Sequence, residues 1–334
     1  MKNIKDYNLE ELKQEFIKLG EKAYRAEQVF KWLYVDKVSS FDEMTNLSKE
    51  LREKLKQEFS MHNFEILKKQ ESTDGTKKYL FDILDGNAIE TVLMEYHHGK
   101  SICVSTQVGC KMGCKFCAST GIKFVRNLTA GEIVEQILAV QKDVNDKISN
   151  VVFMGIGEPL DNFDNVVNAI AILNNQKGLS IGARHISIST SGLVPKIYEL
   201  ADKNLQCTLS ISLHATNNEK RSEMMPVNKK YNIEELIECG ISIYKYNKGF
   251  IHSKTIIADG KVSSIGTANL DIRSFQLNFE INAIIFDNEF TKKQEEIFNK
   301  DIKDSSLITI EEYNNRGRII RIKEALIRLI APIL

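Results

Sequence analysis

Apolar residues near the start of the chain recur at the spacing of an amphipathic helix. Four of them lie three or four positions apart: Leu9, Leu12, Phe16 and Leu19. Gly20 follows as a stop signal, and the same periodicity predicts a second helix over residues 26–33 and another over residues 47–59. We therefore predict a small helical module over residues 1–60.

From residue 64 onwards the pattern changes to the alternation of apolar and polar positions that is typical of strands. Two Asp-Gly turns, Asp74-Gly75 and Asp85-Gly86, separate the alternating runs and predict two successive hairpins. Glu90 lies on the last of these strands, where a glutamate usually faces solvent. We assign residues 61–100 to a β-hairpin connector.

Between residues 101 and 236 short apolar strands alternate with helical segments. One of these helices begins after Thr129, which forms a capping-box pattern with Glu132. Parallel βαβ units have this order, and they gather functional side chains at the carboxyl ends of their strands. The predicted fold class is therefore α/β, with a full or partial (β/α) barrel over residues 101–238.

Composition narrows the class of protein without identifying a partner. The 334 residues are 43% hydrophobic and 27% charged, and 45 basic residues balance 45 acidic ones, so no global basic surface indicates nucleic-acid binding. No apolar run approaches the ~20 residues of a membrane span, and the first residues lack the apolar core of a signal peptide. These features predict a cytoplasmic protein with reduced cysteines.

Three of the six cysteines, Cys110, Cys114 and Cys117, lie close together with the spacing C-x3-C-x2-C. Thiolates on one tight loop can converge on a single metal centre, and thiolate sulfur is the ligand that iron–sulfur clusters use. Three local ligands leave one iron open to a substrate. The alternative is a zinc loop, but zinc sites usually pair two such units, whereas Cys207 and Cys239 are isolated.

The cysteine spacing, with Phe116 just before the third cysteine, resembles the signature of radical S-adenosylmethionine (SAM) enzymes. In that family three cysteines hold a [4Fe–4S] cluster, and the amine and carboxylate of SAM bind the fourth iron. The resemblance therefore implies Cys110, Cys114 and Cys117 as cluster ligands, and it implies the cluster and SAM as cofactors.

Four further segments resemble successive barrel strands of the bacterial RNA adenine-C2 methyltransferases, which modify 23S ribosomal RNA and certain transfer RNAs. They are Q-V-G-C ending at Cys110, M-G-I-G-E-P-L from Met154, S-I-S-T-S-G from Ser187 and I-S-L-H-A from Ile211. The resemblance covers about the first 238 residues. It implies 23S rRNA and tRNA as partners, an external electron donor such as flavodoxin, and RNA contact by residues 1–60.

The same resemblance implies roles for individual residues. Gly157 and Glu158 match the loop that meets the amino group of SAM, where a carboxylate faces an ammonium. Contacts to the rest of SAM are implied for Ser189, Ser212, Leu213 and His214. Glu90 matches a residue proposed as a general base or proton acceptor, and Cys103 matches the resolving cysteine of a transient disulfide. Without the resemblance, Cys103 would be interpreted as a buried strand thiol and His214 as a strand-end histidine.

The last part of the chain departs from this family pattern. The family reaction needs a cysteine near the C-terminus to carry the methyl group to C2 of adenine, and no cysteine follows Cys239 here. The final barrel strands, with their SAM-contacting asparagine, are not recognisable either. We therefore expect methylation by this chain to be impaired.

Residues 239–334 carry a different pattern, H-x-K-x4-D at His252, Lys254 and Asp259, followed by G-T-x-N. This pattern resembles the phospholipase D superfamily, and its surroundings resemble the C-terminal part of a bacterial cardiolipin synthase. His252 and Lys254 lie two apart on a predicted strand and so share a face, where a histidine can attack phosphorus while a lysine holds phosphate oxygens. The resemblance implies phosphatidyl transfer, but the superfamily builds one site from two such motifs.

The C-terminal residues 318–330 have a basic amphipathic pattern, which indicates a surface helix or, by the family resemblance, a helix in contact with a membrane surface. The chain thus combines a truncated RNA methyltransferase with a truncated phospholipase D-like fragment. A recombined or misassembled reading frame, giving an inactive fusion, explains this better than a bifunctional enzyme, because each part lacks an essential piece.

Overall fold

The chain divides into two units, Met1–Ile233 and Glu234–Leu334. The structure, a computed structural model, describes residues 1–96, 99–215, 218–239, 244–248, 254–258, 262–266, 282–285 and 287–307. The first unit contains the helical N-terminal segment, the hairpins and the strand–helix repeats that the sequence predicts.

The N-terminal helices lie where the hydrophobic periodicity predicts them. They are α1 (Leu9–Lys18), α2 (Ala23–Tyr34) and α3 (Lys49–Glu58). Asn8 caps α1 in a reciprocal capping box with Glu11. Gly20 follows the end of α1 with a φ of +77°, a conformation that favours glycine. Strand β1 (Lys2–Asn3) pairs in parallel with β2 (Phe59–Ser60), so the two ends of the segment meet.

A buried ion pair ties this N-terminal segment to the first long helix of the following region, α4 (Ala130–Val144). Lys5 Nζ lies 2.5 Å from a carboxylate oxygen of Glu135, and the two side chains are only 1% and 2% exposed. Lys5 Nζ also donates to the His62 carbonyl oxygen at 2.8 Å and to Asn63 Oδ1 at 3.0 Å. The ammonium is therefore fully satisfied away from water, as a buried charge must be.

A seven-stranded mixed sheet forms the centre of the first unit, in the order β11-β10-β9-β6-β5-β4-β3. Its strands are β3 (Glu65–Glu71), β4 (Lys77–Asp82), β5 (Ala88–Tyr96), β6 (Gly99–Cys103), β9 (Asn150–Phe153), β10 (Ile186–Thr190) and β11 (Thr208–Ile211). Strands β3 to β6 are antiparallel, whereas β6, β9, β10 and β11 run parallel. The predicted α/β class is confirmed, and the hairpins continue directly into the parallel strands.

Helix α4 covers the apolar face of this sheet. Seven strand residues on that face are completely buried: Ile89, Leu93, Ile102, Val151, Phe153, Ile186 and Ile188. Gln136 of α4 accepts hydrogen bonds from Thr91 Oγ1 and from the Ser105 N–H, both at 2.8 Å. The Thr129 capping box is confirmed, and α4 is buried on all sides from Ala130 to Gln141. Its buried Glu132, Glu135 and Gln136 side chains have partners in Arg126, Lys5 and Thr91. Helices α5 (Phe163–Asn174) and α6 (Val194–Asp202) follow β9 and β10.

The second unit begins within α8 (Ile233–Glu238), which follows α7 (Asn218–Met224). Its described strands are β12 (Tyr244–Tyr246), β13 (Lys254–Ala258), β14 (Val262–Gly266), β15 (Asn282–Ile285) and β16 (Ser305–Leu307), with α9 (Asn288–Lys303) before the last. Strands β13, β14 and β15 form an antiparallel sheet in which Lys254 is paired with Gly266, and β12 pairs with β16.

Several predictions for the C-terminal part concern residues outside the described ranges, namely His252, Asp259 and residues 318–330. A helix with the length and apolarity that a bilayer crossing requires is not found among the residues that the structure describes.

Candidate functional site

The strand register brings several predicted site residues onto one face of the seven-stranded sheet. Cys103 is paired with Val92 on β5 and, through β9, is aligned with Ser187 on β10. Glu90 and Ser189 lie two residues from these positions, so their side chains project from the same face. Glu90, Cys103 and Ser189 are all partly exposed, whereas residues of the opposite face are buried. Residues far apart in the chain therefore share one accessible surface.

The three clustered cysteines lie on a loop between two short antiparallel strands, β7 (Gln107–Val108) and β8 (Arg126–Asn127). Gly109 begins the loop with a φ of +71°, and a Cβ at this position would collide with the Lys123 carbonyl. Only glycine fits there, because both the conformation and the close approach exclude a side chain. The loop is tied internally by a 2.6 Å hydrogen bond from Thr120 Oγ1 to the Cys114 carbonyl oxygen.

The three thiols lie within electrostatic range of one another. Burial, and then the charges of Cys110 and Cys117, raise the pKa of Cys114 to about 11. Burial also raises the pKa of Cys110, and the charge of Cys117 raises it further. Within the described ranges, no three His, Cys, Asp or Glu side chains are gathered closely enough to hold a metal ion. The donor set nevertheless suits an iron–sulfur cluster, whose binding would replace these protons by iron.

The segment at the end of α7, residues 224–227, packs against the cysteine loop, and the sequence pattern does not predict this contact. Cys114 packs in an apolar cluster with Met225 and Val227. The Lys115 N–H donates to the carbonyl oxygen of Met224, at the end of α7, at 2.9 Å. The apolar side chains after α7 were the available sequence signal, but they do not show which loop they contact.

Glu158, predicted to meet the SAM amino group, is 3% exposed and lies after β9, at the N-cap of a short 3-10 helix (Pro159–Asn162). Its carboxylate accepts hydrogen bonds from the Ser191 N–H at 2.7 Å, from Thr190 Oγ1 at 2.8 Å and from the Leu160 N–H at 3.0 Å. Burial raises the pKa of Glu158, against the lowering effect of these hydrogen bonds. No Lys, Arg or His in the described part of the chain forms an ion pair with it. An ammonium ligand would provide that missing charge.

Gly157, next to Glu158, packs its backbone closely against Thr106 and Gln107. Its φ is +109°, and an added Cβ would lie 2.6 Å from Gln107 Cβ and 2.8 Å from Thr106 Oγ1. Thr106 is 1% exposed, and its hydroxyl has no hydrogen-bond partner among the described residues. A buried hydroxyl in this state fits a polar ligand at this position.

The ends of β10 and β11 bring together the other predicted SAM contacts. Ser189 Oγ lies 3.5 Å from Ser212 Oγ, and Leu213 beside it is 41% exposed. His214 has a φ of +55°, and its ring centroid lies 4.1 Å from that of Phe116 in the cysteine loop. Burial, and then the charge of Arg221, lower the pKa of His214. The aromatic contact links the cysteine loop to the end of β11.

Glu90 and Cys103 lie on the same accessible face. Glu90 forms a 2.9 Å ion pair with Lys78, and both side chains are 45% exposed. Burial raises the pKa of Cys103. The Cys103 thiol is not in a disulfide in the structure. The roles of both residues stay predictions.

The fold and the cysteine loop define the chain as a radical-SAM methyltransferase. A solved radical SAM methyltransferase from Sphaerobacter thermophilus superimposes with a TM-score of 0.68 and 40% sequence identity, covering 72% of this chain and 71% of that chain. A family model for the ribosomal RNA large subunit methyltransferase N-terminal domain matches residues 2–61.

Curated relatives identify the family within this class. One from Clostridium novyi (strain NT) is 55% identical over 240 residues, which is 72% of this chain and 70% of the relative. One from Bacillus subtilis (strain 168) is 53% identical over 71% of this chain and 66% of its own length. Both are named probable dual-specificity RNA methyltransferase RlmN. This chain belongs to the RlmN family of radical-SAM RNA methyltransferases, which use a [4Fe–4S] cluster and SAM.

Similarity to a second family is also present. A family model for the cardiolipin synthase, PLD-like domain matches residues 170–302. A relative from Clostridium perfringens (strain SM101 / Type A), also named for RlmN, is 46% identical over 312 residues, or 91% of this chain and 90% of the relative. The match to the PLD-like domain and the match to this relative overlap along the chain. The domain boundary that we place after residue 238 therefore stays a prediction.

Proposed function

We propose that this chain performs the cofactor chemistry of adenosine-C2 methylation in 23S rRNA and tRNA, with the methyl-transfer step impaired. The observation that carries this proposal is the cysteine loop, which lies within electrostatic range of the buried Glu158 carboxylate, and no residue that the structure describes gives this carboxylate a cationic partner. Cys110, Cys114 and Cys117 would hold the cluster, and Glu158 would receive the ammonium of SAM. When bound, the cluster would supply one-electron chemistry and SAM would supply the methyl group.

The remaining site residues would bind and orient SAM from the ends of β10 and β11. Ser189 and Ser212 have adjacent hydroxyls that can hydrogen-bond to a polar ligand, and Leu213 offers an exposed apolar side chain. His214, in a tilted ring contact with Phe116, would exclude water between the loop and the strand ends. We infer that β6, β9, β10 and β11 form the partial barrel that carries this site.

We assign the partly exposed face of the sheet to the RNA substrate. Glu90 would act there as a proton acceptor, since it is half-exposed and held by Lys78. Cys103 would act as the resolving thiol for a methyl-carrying cysteine, and residues 1–60 would contact the RNA. The electron would come from an external donor such as flavodoxin, in the cytoplasm.

Replacing Glu158 with glutamine is expected to weaken SAM binding by about 10- to 100-fold, because a hydrogen bond to a charged group contributes about 1.5–3 kcal/mol. Anaerobic calorimetric titration of the reconstituted protein with SAM measures this effect. Glu199→Gln is the matched control, since Glu199 is exposed and forms a surface ion pair with Lys196. An unchanged dissociation constant for Glu158→Gln would remove Glu158 from the site.

The reconstituted chain is expected to cleave SAM without methylating RNA, because no cysteine after Cys239 can carry the methyl group. Anaerobic incubation with reductant, SAM and tRNA, followed by mass spectrometry of the nucleosides, tests this. The Clostridium novyi relative, treated identically, is the positive control. Detection of C2-methyladenosine would contradict the impairment, and absence of SAM cleavage would contradict the proposed function.

A second candidate function is phosphatidyl transfer, which the cardiolipin synthase family match over residues 170–302 favours. His252, Lys254 and Asp259 would form half of a phosphate site, and residues 318–330 would contact the membrane surface. Formation of cardiolipin from phosphatidylglycerol vesicles, lost in the His252→Ala variant, would establish this function. No product from the intact chain would exclude it.

A further inference from the structure

Arg221 on α7 is completely buried and has an unusual set of partners. Its guanidinium donates to five acceptors: the carbonyl oxygens of Ser191 (2.6 Å), Leu213 (3.2 Å), Ser212 (3.3 Å) and Tyr231 (3.4 Å), and Oδ1 of Asn228 (2.7 Å). A guanidinium has five N–H donors in a rigid fork, so this arrangement engages its full donor capacity. Three of the acceptors lie at the ends of β10 and β11.

All five acceptors are neutral, so the positive charge of Arg221 is not matched by them. No carboxylate in the described part of the chain forms an ion pair with this guanidinium. The guanidinium lies within electrostatic range of the Cys114 thiol, and Met225 and Val227, just after α7, pack on Cys114. A buried charge without a counter-ion is costly, and chains rarely keep one unless a partner or ligand compensates it.

The segment that carries Arg221 also holds the cysteine loop. Met225 and Val227 pack on Cys114, and the Met224 carbonyl accepts the Lys115 N–H. Arg221 also donates to the carbonyl oxygen of Ser191, and the N–H of Ser191 donates to the Glu158 carboxylate. One side chain therefore connects the cysteine loop, the Glu158 carboxylate and the strand ends that carry Ser212 and Leu213.

We propose that Arg221 is a positioning residue of the cofactor site, with two separable effects. Its hydrogen bonds fix the carbonyl ends of β10 and β11, and with them the SAM-facing residues, relative to the cysteine loop. Its positive charge stabilises the added negative charge when the thiolate-held cluster is reduced. This inference rests on the proposed cofactor site and extends it to a residue outside every recognised motif.

Two substitutions separate the charge from the geometry in the full-length reconstituted protein. Arg221→Gln removes the charge, whereas Arg221→Lys keeps the charge but cannot span five acceptors. Arg184→Gln, at an exposed arginine, is the matched control. Iron content, the midpoint potential of the cluster by redox titration, and the SAM dissociation constant are measured for each.

Arg221→Gln is expected to disfavour cluster reduction by about tenfold, a shift of about 59 mV to more negative potential for one electron. Arg221→Lys is expected to keep the wild-type potential while weakening SAM binding at least tenfold, and Arg184→Gln should change neither quantity. Wild-type potential and SAM affinity in Arg221→Gln would overturn the assignment. If that variant does not fold, wild-type SAM affinity in Arg221→Lys overturns the positioning effect. A wild-type chain that takes up no iron overturns the proposed function and this inference together, whereas iron uptake separates the two.

Discussion

Replacing Cys114 with alanine is expected to leave a colourless protein after anaerobic reconstitution with iron and sulfide. The cluster depends on three thiolates from one loop, which bind three of its four irons. Removal of one thiolate leaves two irons without a protein ligand. Cys114 is the buried cysteine of this loop and packs against Met225 and Val227. Absorption in the visible range and iron content measure the loss.

Cys207→Ala is the control for this experiment. Cys207 is a half-buried thiol just before β11 that belongs to no motif, and the raised pKa of its thiol results from burial alone. Its replacement should leave cluster content at the wild-type level. A Cys114→Ala protein that still binds iron and sulfide in full would show that the loop is not the cluster site. Thermal unfolding of both apo variants separates loss of the cluster from loss of the fold.

The Lys5→Met variant is expected to lose about 3–5 kcal/mol of unfolding free energy, because it leaves the carboxylate of Glu135 buried without its partner. Lys5 and Glu135 are 1% and 2% exposed, so water cannot compensate for the missing ammonium. Urea unfolding followed by the fluorescence of Trp32 measures the effect, since this is the one tryptophan of the chain and it lies on α2.

Two further variants test the origin of that loss. Lys18→Met removes the exposed partner of Glu15 and should cost less than about 1 kcal/mol, as surface ion pairs do. The double variant Lys5→Met/Glu135→Leu should recover most of the lost stability, because an apolar pair can replace a buried ion pair. Equal losses for Lys5→Met and Lys18→Met would refute the special role of the buried pair.

Local signals in the sequence predicted much of the first unit. The two Asp-Gly turns and the Thr129 capping box depend on nearby residues, so they specify hairpins and a helix start without knowledge of the fold. Glu158 could be identified as a candidate because its neighbours form a recognisable motif, and its role stays a prediction. The common face of Glu90, Cys103 and Ser189 depends instead on strand order and register, which no single segment reveals.

Arg221 and Lys5 show why the remaining features could not be predicted. In the sequence each is one of 45 basic residues in a neutral chain, and a surface position is the ordinary expectation for either. Their burial arises only when distant segments meet, at Glu135 for Lys5 and at the ends of β10 and β11 for Arg221. A charge can be buried only where its partners are already assembled, so this information belongs to the tertiary structure.

The change of strand direction at β6 has a consequence for the order of folding. Strands β3 to β6 pair with their neighbours in the chain, so their loops are short and can close early. The next pairing, of Ser101 with Asn150, closes a far longer loop, and this loop contains the cysteines. Contacts of large sequence separation form slowly. Cys114 also packs on Met225 and Val227, which lie far along the chain, so the cysteine loop should reach its final position late in folding.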